Sequence, residues 1–133
     1  MRFMIDTSTC IFLIRKKLPG LLDRVTRCAP GDLGLSIVTV AELAYGVAKS
    51  SQPERNREAL EEFLLPLEIA EFDSDAARAY GLVRANLESR GTPIGSLDTL
   101  IGAHALSLGV TLVTNNTREF KRIPTLQLAD WSR

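Results

Sequence analysis

The sequence predicts an α/β fold in which a central parallel sheet of four to five strands is covered by helices on both faces. Two observations carry that prediction. Short apolar, often β-branched runs alternate with longer segments of helical period, the order expected of parallel strands joined by helical crossovers. The 133 residues, 45% hydrophobic and 24% charged, also suit one globular domain over residues 1–133 that buries a sizeable core without disulfides.

The elements follow in order. Residues 2–6 read as a short buried strand. Thr7 to Lys17 reads as a helix with Ile11, Ile14 and Leu18 on one face and Thr7, Ser8 or Thr9 as its cap. Pro19-Gly20 breaks it, and Leu21 to Cys28 forms a second helix. After the Pro30-Gly31 turn, Leu33 to Val38 is apolar and β-branched enough for the second strand. Thr39-Val40-Ala41-Glu42 spells a capping box for a helix through about Lys49. Ser50-Ser51-Gln52-Pro53 punctuates, Glu54 to Leu65 is helical, and Leu67 to Phe72 alternates as a third strand. Asp73-Ser74-Asp75 caps a helix from Ala76 to about Ser89. Ser96 to Leu108 is a helix closed by Gly109, and Val110 to Thr114 is the fourth strand. Glu119 to Arg122 is a short helical piece, and Thr125 to Leu128 is a candidate edge strand.

Asp6, Glu42 and Asp98 each sit just past an apolar stretch or a Pro-Ile-Gly turn, and each opens a helix-like run. Ligands of open α/β sheets bind at the carboxyl edge of the strands. Three carboxylates gathered there repel one another unless a cation joins them, and hard divalent ions take oxygen ligands. Each acid has a plain structural alternative. Asp6 could cap its helix, Glu42 could be the N3 acid of a capping box, and Asp98 could answer the helix dipole. Three such acids at one sheet edge fit a metal site better than three caps. The junction Thr114-Asn115-Asn116-Thr117-Arg118-Glu119 adds Asn116 and Glu119 as further candidate ligands, although that segment also spells a capping box.

Formal net charge is zero, which excludes a globally basic nucleic-acid binder. The basic run Arg15, Lys16, Lys17 follows the strand that delivers Asp6 and is a candidate to face phosphates. The acidic run from Glu54 to Asp75 reads as solvated helix surface. Cys10 and Cys28 form no C-x-x-C pair and, with His104 the one histidine, make no zinc set. They read as reduced thiols. His104 shares a face with leucines and reads as a core residue or one supporting the site. Trp131 reads as packing the C-terminus against the body. Phosphate-loop, dinucleotide and nucleophile-elbow motifs are absent. No signal segment and no span of ~20 apolar residues is visible, so the expected location is the cytoplasm.

Assembled, the pattern resembles the PIN-domain superfamily and, within it, the VapC toxins of bacterial toxin–antitoxin pairs. The residues that carry it are Met4-Ile5-Asp6-Thr7-Ser8, Ser36 to Leu43 with Tyr45-Gly46, Pro93 to Ala105, Leu112 to Phe120, and Trp131. The resemblance implies a three-layer α/β/α domain and a magnesium-dependent endoribonuclease site, with manganese able to substitute. It implies Asp6, Glu42 and Asp98 as metal acids, with Asn116, an amide, where relatives carry a fourth acid and Glu119 close by. It further implies a homodimer, a small antitoxin partner, no membrane association, and an RNA substrate such as the anticodon loop of initiator tRNA. Two rival readings stand beside it: a catalytically inactive PIN-like RNA-binding or protein-interaction module, and a receiver-type signalling domain. The receiver would want a second acid beside Asp6 and a lysine closing the fourth strand, where Thr7 and Asn115 stand.

Overall fold

The computed structural model describes residues 1–16 and 18–132. Lys17, of the basic run, lies outside the described residues. Among the described residues the elements follow in the order β1 (Phe3–Ile5), α1 (Thr7–Ile14), α2 (Pro19–Thr26), β2 (Leu33–Ser36), α3 (Ile37–Ala48), α4 (Pro53–Leu64), β3 (Glu68–Ala70), α5 (Ser74–Ser89), α6 (Ser96–Leu108), β4 (Thr111–Val113), α7 (Thr117–Phe120) and β5 (Leu128–Ala129). The strands form one sheet in the order β3-β2-β1-β4-β5, and every pairing is parallel.

Successive strand residues point to opposite faces, and each face builds its own core. Ile5, Leu35 and Val113 pack with Leu13 of α1, Leu21 of α2, Leu43 of α3 and Leu60 of α4. Met4 and Leu112 face the other way, against Val83 and Leu87 of α5, Ile101 of α6 and Phe120 of α7. The result is the three-layer α/β/α arrangement the sequence implies. Trp131 closes the first core and meets Phe3 edge-on at 4.9 Å, in keeping with its apolar bulk. The acidic residues of α4 are exposed.

Close strand packing needs Gly34. A Cβ there would lie 2.6 Å from the Glu68 carbonyl oxygen and run into the Met1 side chain. Gly109, at φ 67°, caps α6 in the left-handed region.

Several local expectations are corrected. Pro19-Gly20 does not break a helix; it forms the first turn of α2, where proline's fixed φ is pre-set and its missing N–H costs nothing. Helix α1 ends at Ile14, not Lys17. The β-branched pair Ile37-Val38 lies in α3, because the Ser36 hydroxyl accepts from Val38 N at 3.0 Å and starts the helix there. Thr39 is therefore a buried interior residue of α3 and not the cap of a box with Glu42. Asp6 itself, not a hydroxyl after it, caps α1 by accepting from Thr9 N at 2.9 Å.

Among the described residues no helix is long and apolar enough to cross a membrane. Cys10 and Cys28 are free thiols.

Candidate active site

Strand order reverses on either side of β1: β2 lies to one side and β4 to the other. Side chains at the carboxyl ends of β1, β2 and β4 therefore meet at the crevice where open α/β sheets bind ligands. Asp6 follows β1 directly and is 3% exposed. Its Oδ1 takes the Thr9 N–H. Its Oδ2 accepts a short bond from the Thr114 hydroxyl, which β4 brings across from 108 residues away. Ser8 Oγ stands 3.2 Å from Asp6 Oδ2 and 2.9 Å from Asn115 Oδ1. The carboxylate is thus fixed in place by groups on both central strands.

Glu42 lies in the second turn of α3 and reaches back toward β1. Thr7 Oγ1 donates to its Oε1 at 2.7 Å, with Thr39 Oγ1 3.3 Å from the same hydroxyl. Asp98 stands in the first turn of α6, whose cap Gly95 has no side chain to offer the helix N–H groups. Its carboxyl is pushed up to about 6, first by burial and then by the charges of Glu42, Asp6 and Glu119. The charge contributions to that rise are those of like charges brought near one another. Glu119, in α7, accepts from the Asn116 side-chain amide at 3.3 Å. Asn116 makes no side-chain cap bond to α7, so the capping box spelled by this segment does not form.

The five residues from which the sequence builds a metal site, Asp6, Glu42, Asp98, Asn116 and Glu119, therefore fall at one sheet edge. Among the described residues no three acid, histidine or cysteine side chains already stand as a finished metal group. The donors on offer are carboxylate and amide oxygens, the set a hard divalent ion takes. The soft alternative is closed: Cys10 is fully buried behind Asp6, and burial together with the Asp6 charge pushes its thiol well up. His104 is also buried. Its Nδ1 hydrogen-bonds Ser36 Oγ at 2.8 Å, its ring meets Phe72 edge-on, and burial lowers it below the usual imidazole range. It braces the start of α3 through Ser36.

Arg15 and Lys16 are exposed at the far end of α1, about 12 Å along the axis from its capped end at 1.5 Å per residue. Arg15 instead lines an open apolar groove of about 790 Å³ between α1, α3 and α4. Ile11, Ile14, Val47 and Leu60 line it together with Tyr45, which is exposed, and with Glu42 and Thr7. Sequence reading misses this groove and the Thr114 bond to Asp6. Thr114 reads only as the end of a strand until β4 is set beside β1.

Residues 3–126 match the PIN-domain family. The chain belongs to the PIN-domain family. Its relatives place this PIN domain among the VapC proteins. It is 43% identical to the tRNA(fMet)-specific endonuclease VapC of Salmonella typhimurium over 98% of each chain. It is 40% identical to Ribonuclease VapC2 of Rickettsia felis over the full length of both. The crystal structure of DNA-bound VapBC from Salmonella typhimurium superposes with a TM-score of 0.94 at 43% identity, covering 98% of each chain. VapBC2 from Rickettsia felis, bound to a promoter fragment, gives 0.90 at 38% identity, covering 98% of this PIN domain and 99% of that chain.

Proposed function

We propose that this PIN domain is the toxin of a toxin–antitoxin pair, a metal-dependent endoribonuclease that cuts initiator tRNA in the cytoplasm as a homodimer. The observation that carries the reading is the gathering of Asp6, Glu42, Asp98 and Glu119 at one sheet edge, where burial first and then the neighbouring charges of Glu42, Asp6 and Glu119 raise the Asp98 carboxyl. Such a cluster is costly in a resting fold and useful only with a cation. Full-length relatives named as ribonucleases and as a tRNA(fMet)-specific endonuclease support the substrate class.

Asp6, Glu42 and Asp98 would hold magnesium, or manganese in its place, with Glu119 and the Asn116 carbonyl oxygen completing the set. A bound divalent ion acidifies a water and offsets charge on the phosphate oxygens. The chain's own work is positioning. Thr114, Ser8 and the Thr9 N–H fix Asp6, and Thr7 fixes Glu42. A splayed single-stranded loop reaches the recessed acids better than a duplex does. The deciding assay is cleavage of initiator tRNA by the purified protein with magnesium and with excess chelator. Cutting that survives the chelator, or no cutting with either metal, contradicts the reading.

The departure at Asn116 gives a separate test. Glu119→Gln keeps the shape of the side chain and removes its charge. Manganese affinity is expected to fall about tenfold, the loss of roughly 1.4 kcal/mol of charge interaction, with melting temperature unchanged. Asn116→Asp is expected to bind manganese more tightly. Unchanged affinity in the first variant with a gain in the second would show Glu119 to be structural.

The apolar groove suits the antitoxin, since Glu42 is among the residues that line it, so a partner segment laid there could bring an arginine to the acids. Tyr45 lines the groove and is 66% exposed, so Tyr45→Glu should leave the fold intact. Antitoxin affinity is expected to drop about tenfold or more, as for loss of an aromatic anchor, while RNA cleavage persists. Calorimetry on the pair measures it; parental affinity would remove the groove from the interface.

A further inference from the structure

The arginines and lysines of this chain divide into two groups. Arg2, Arg27, Arg57, Arg78 and Arg84 each meet a carboxylate. Among the described residues Arg90, Arg118, Lys121 and Arg122 meet none, and neither do Arg15, Lys16, Arg24, Lys49 and Arg55. What sets the first four apart is their place, where the α5–α6 connection touches α7. There Arg122 Nη1 donates to the Pro93 carbonyl oxygen at 3.0 Å, and the Arg90 guanidinium donates to the Arg122 carbonyl oxygen. We propose that Arg90, Arg118, Lys121 and Arg122 form a rim that grips RNA phosphates beside the acid pocket. The inference rests on the ribonuclease reading and adds where that substrate lies.

The rim lies next to the acids. Arg122 follows Glu119 by three residues. The Pro93 it holds is two residues from Gly95, at most ~7.6 Å of chain. A Cβ on Gly95 would lie 3.7 Å from Asp98 Oδ2. Arg122 thus ties the segment that leads into Asp98 to the residues just after Glu119.

The rim is also pre-organised. A guanidinium carries five N–H donors in a fixed fork. Arg122 and Arg90 each spend bonds on one backbone carbonyl, which holds the group in place and leaves other donors for an anion. Arg118 and Lys121 are exposed beside them. Cations so held, with no acid partner, match phosphodiester oxygens, which planar guanidinium groups bind in pairs.

The acid pocket needs such cations. Four acids together repel a phosphodiester, and a chain of zero net charge offers no long-range attraction to offset this. Local cations must bring the strand in. Arg15 and Lys16 stand at the far end of α1 from Asp6, and Arg15 lines the apolar groove.

The test measures binding apart from cutting. In an Asp6→Asn background with magnesium, affinity for a stem–loop RNA is measured across a salt series. Arg118→Gln, Lys121→Gln and Arg122→Gln are each expected to weaken binding about fivefold and to flatten the salt slope by about one for each phosphate no longer neutralised. Arg122→Lys should recover part of that affinity. Arg78→Gln, on α5, should bind like its parent. Arg118 and Lys121 make no side-chain hydrogen bond or ion pair among the described residues, so unchanged melting temperatures are expected and weaker binding in these variants is not a failure of the fold. Parental affinity and slope in all three glutamine variants would overturn the rim while the ribonuclease reading stands, provided the wild-type chain cuts. An equal weakening in Arg78→Gln would also overturn it, by showing a diffuse field. A chain that neither binds nor cuts RNA overturns both.

Discussion

RNA cleavage by Asp6→Asn is expected to fall by about 10²–10³-fold, while the fold survives. The size follows from removing one preorganised charge at a site that must stabilise a phosphoryl transition state, ~3–4 kcal/mol at 1.4 kcal/mol per decade. The survival follows from the bonds at this position. Asparagine is as good a helix cap as aspartate, so its side-chain oxygen can still take the Thr9 N–H. The Thr114 hydroxyl can turn to accept from the new amide. Asp6→Ala is different: it removes the cap and orphans a buried hydroxyl, and it should cost about 2–3 kcal/mol as well as activity. Single-turnover cleavage and denaturant unfolding of both variants check this. Full activity in Asp6→Asn would end the proposed chemistry. Equal unfolding losses in both variants would end the account of the cap.

Asp98→Asn is expected to lose activity on a similar scale and yet to be more stable than wild type in the absence of metal at pH 7. With its folded carboxyl near 6 and its unfolded one at 3.8, Asp98 is protonated in both states below about pH 4. Between pH 4 and 6 the unfolded chain releases the proton and the folded one retains it. Above about 6 both are ionised, and the folded state carries the penalty. This group's contribution to metal-free stability thus falls as pH rises from about 4 to 6, by about 1–2 kcal/mol after allowance for partial exposure. In Asp98→Asn that fall should vanish. Metal binding shows the opposite slope, since only the carboxylate is a ligand: manganese affinity should rise with pH up to about 6 and level off above it. Urea titrations at pH 4 and pH 7 in chelator, with manganese titrations alongside, measure both. Parallel pH dependence of stability in wild type and variant would remove Asp98 from the shared field.

Much of this architecture is readable along the chain, and the failures have physical causes. The run from Ser96 to Leu108 is legible to the residue, because Gly109 ends it and the helical period is unbroken. The placing of Asp6, Glu42 and Asp98 at one edge follows from strand and helix order alone. The β2–α3 boundary is misread because Ile37 and Val38 favour strands, and a single hydroxyl, Ser36, outweighs them. The Asp6 cap is misread because any of three neighbouring hydroxyls could serve. The groove between α1, α3 and α4 and the rim around Pro93 join side chains from separate helices. No local pattern signals such meetings.

The order of the strands has a consequence for the moment of synthesis. β1, made first, lies at the centre of the sheet, and one of its two flanks is filled only when Phe3 pairs with Thr111. Until then Asp6 lacks the Thr114 hydroxyl, and Asp98 and Glu119 have only just been made. A chain emerging at about 5–20 residues per second therefore cannot assemble the acid pocket until residues 111–119 have been made. A ribosome making this protein is shielded from its product until the last strands arrive, and a partner that seats on α1, α3 and α4 finds its surface formed from earlier parts of the chain. The topology sets a delay between first exposure and first harm.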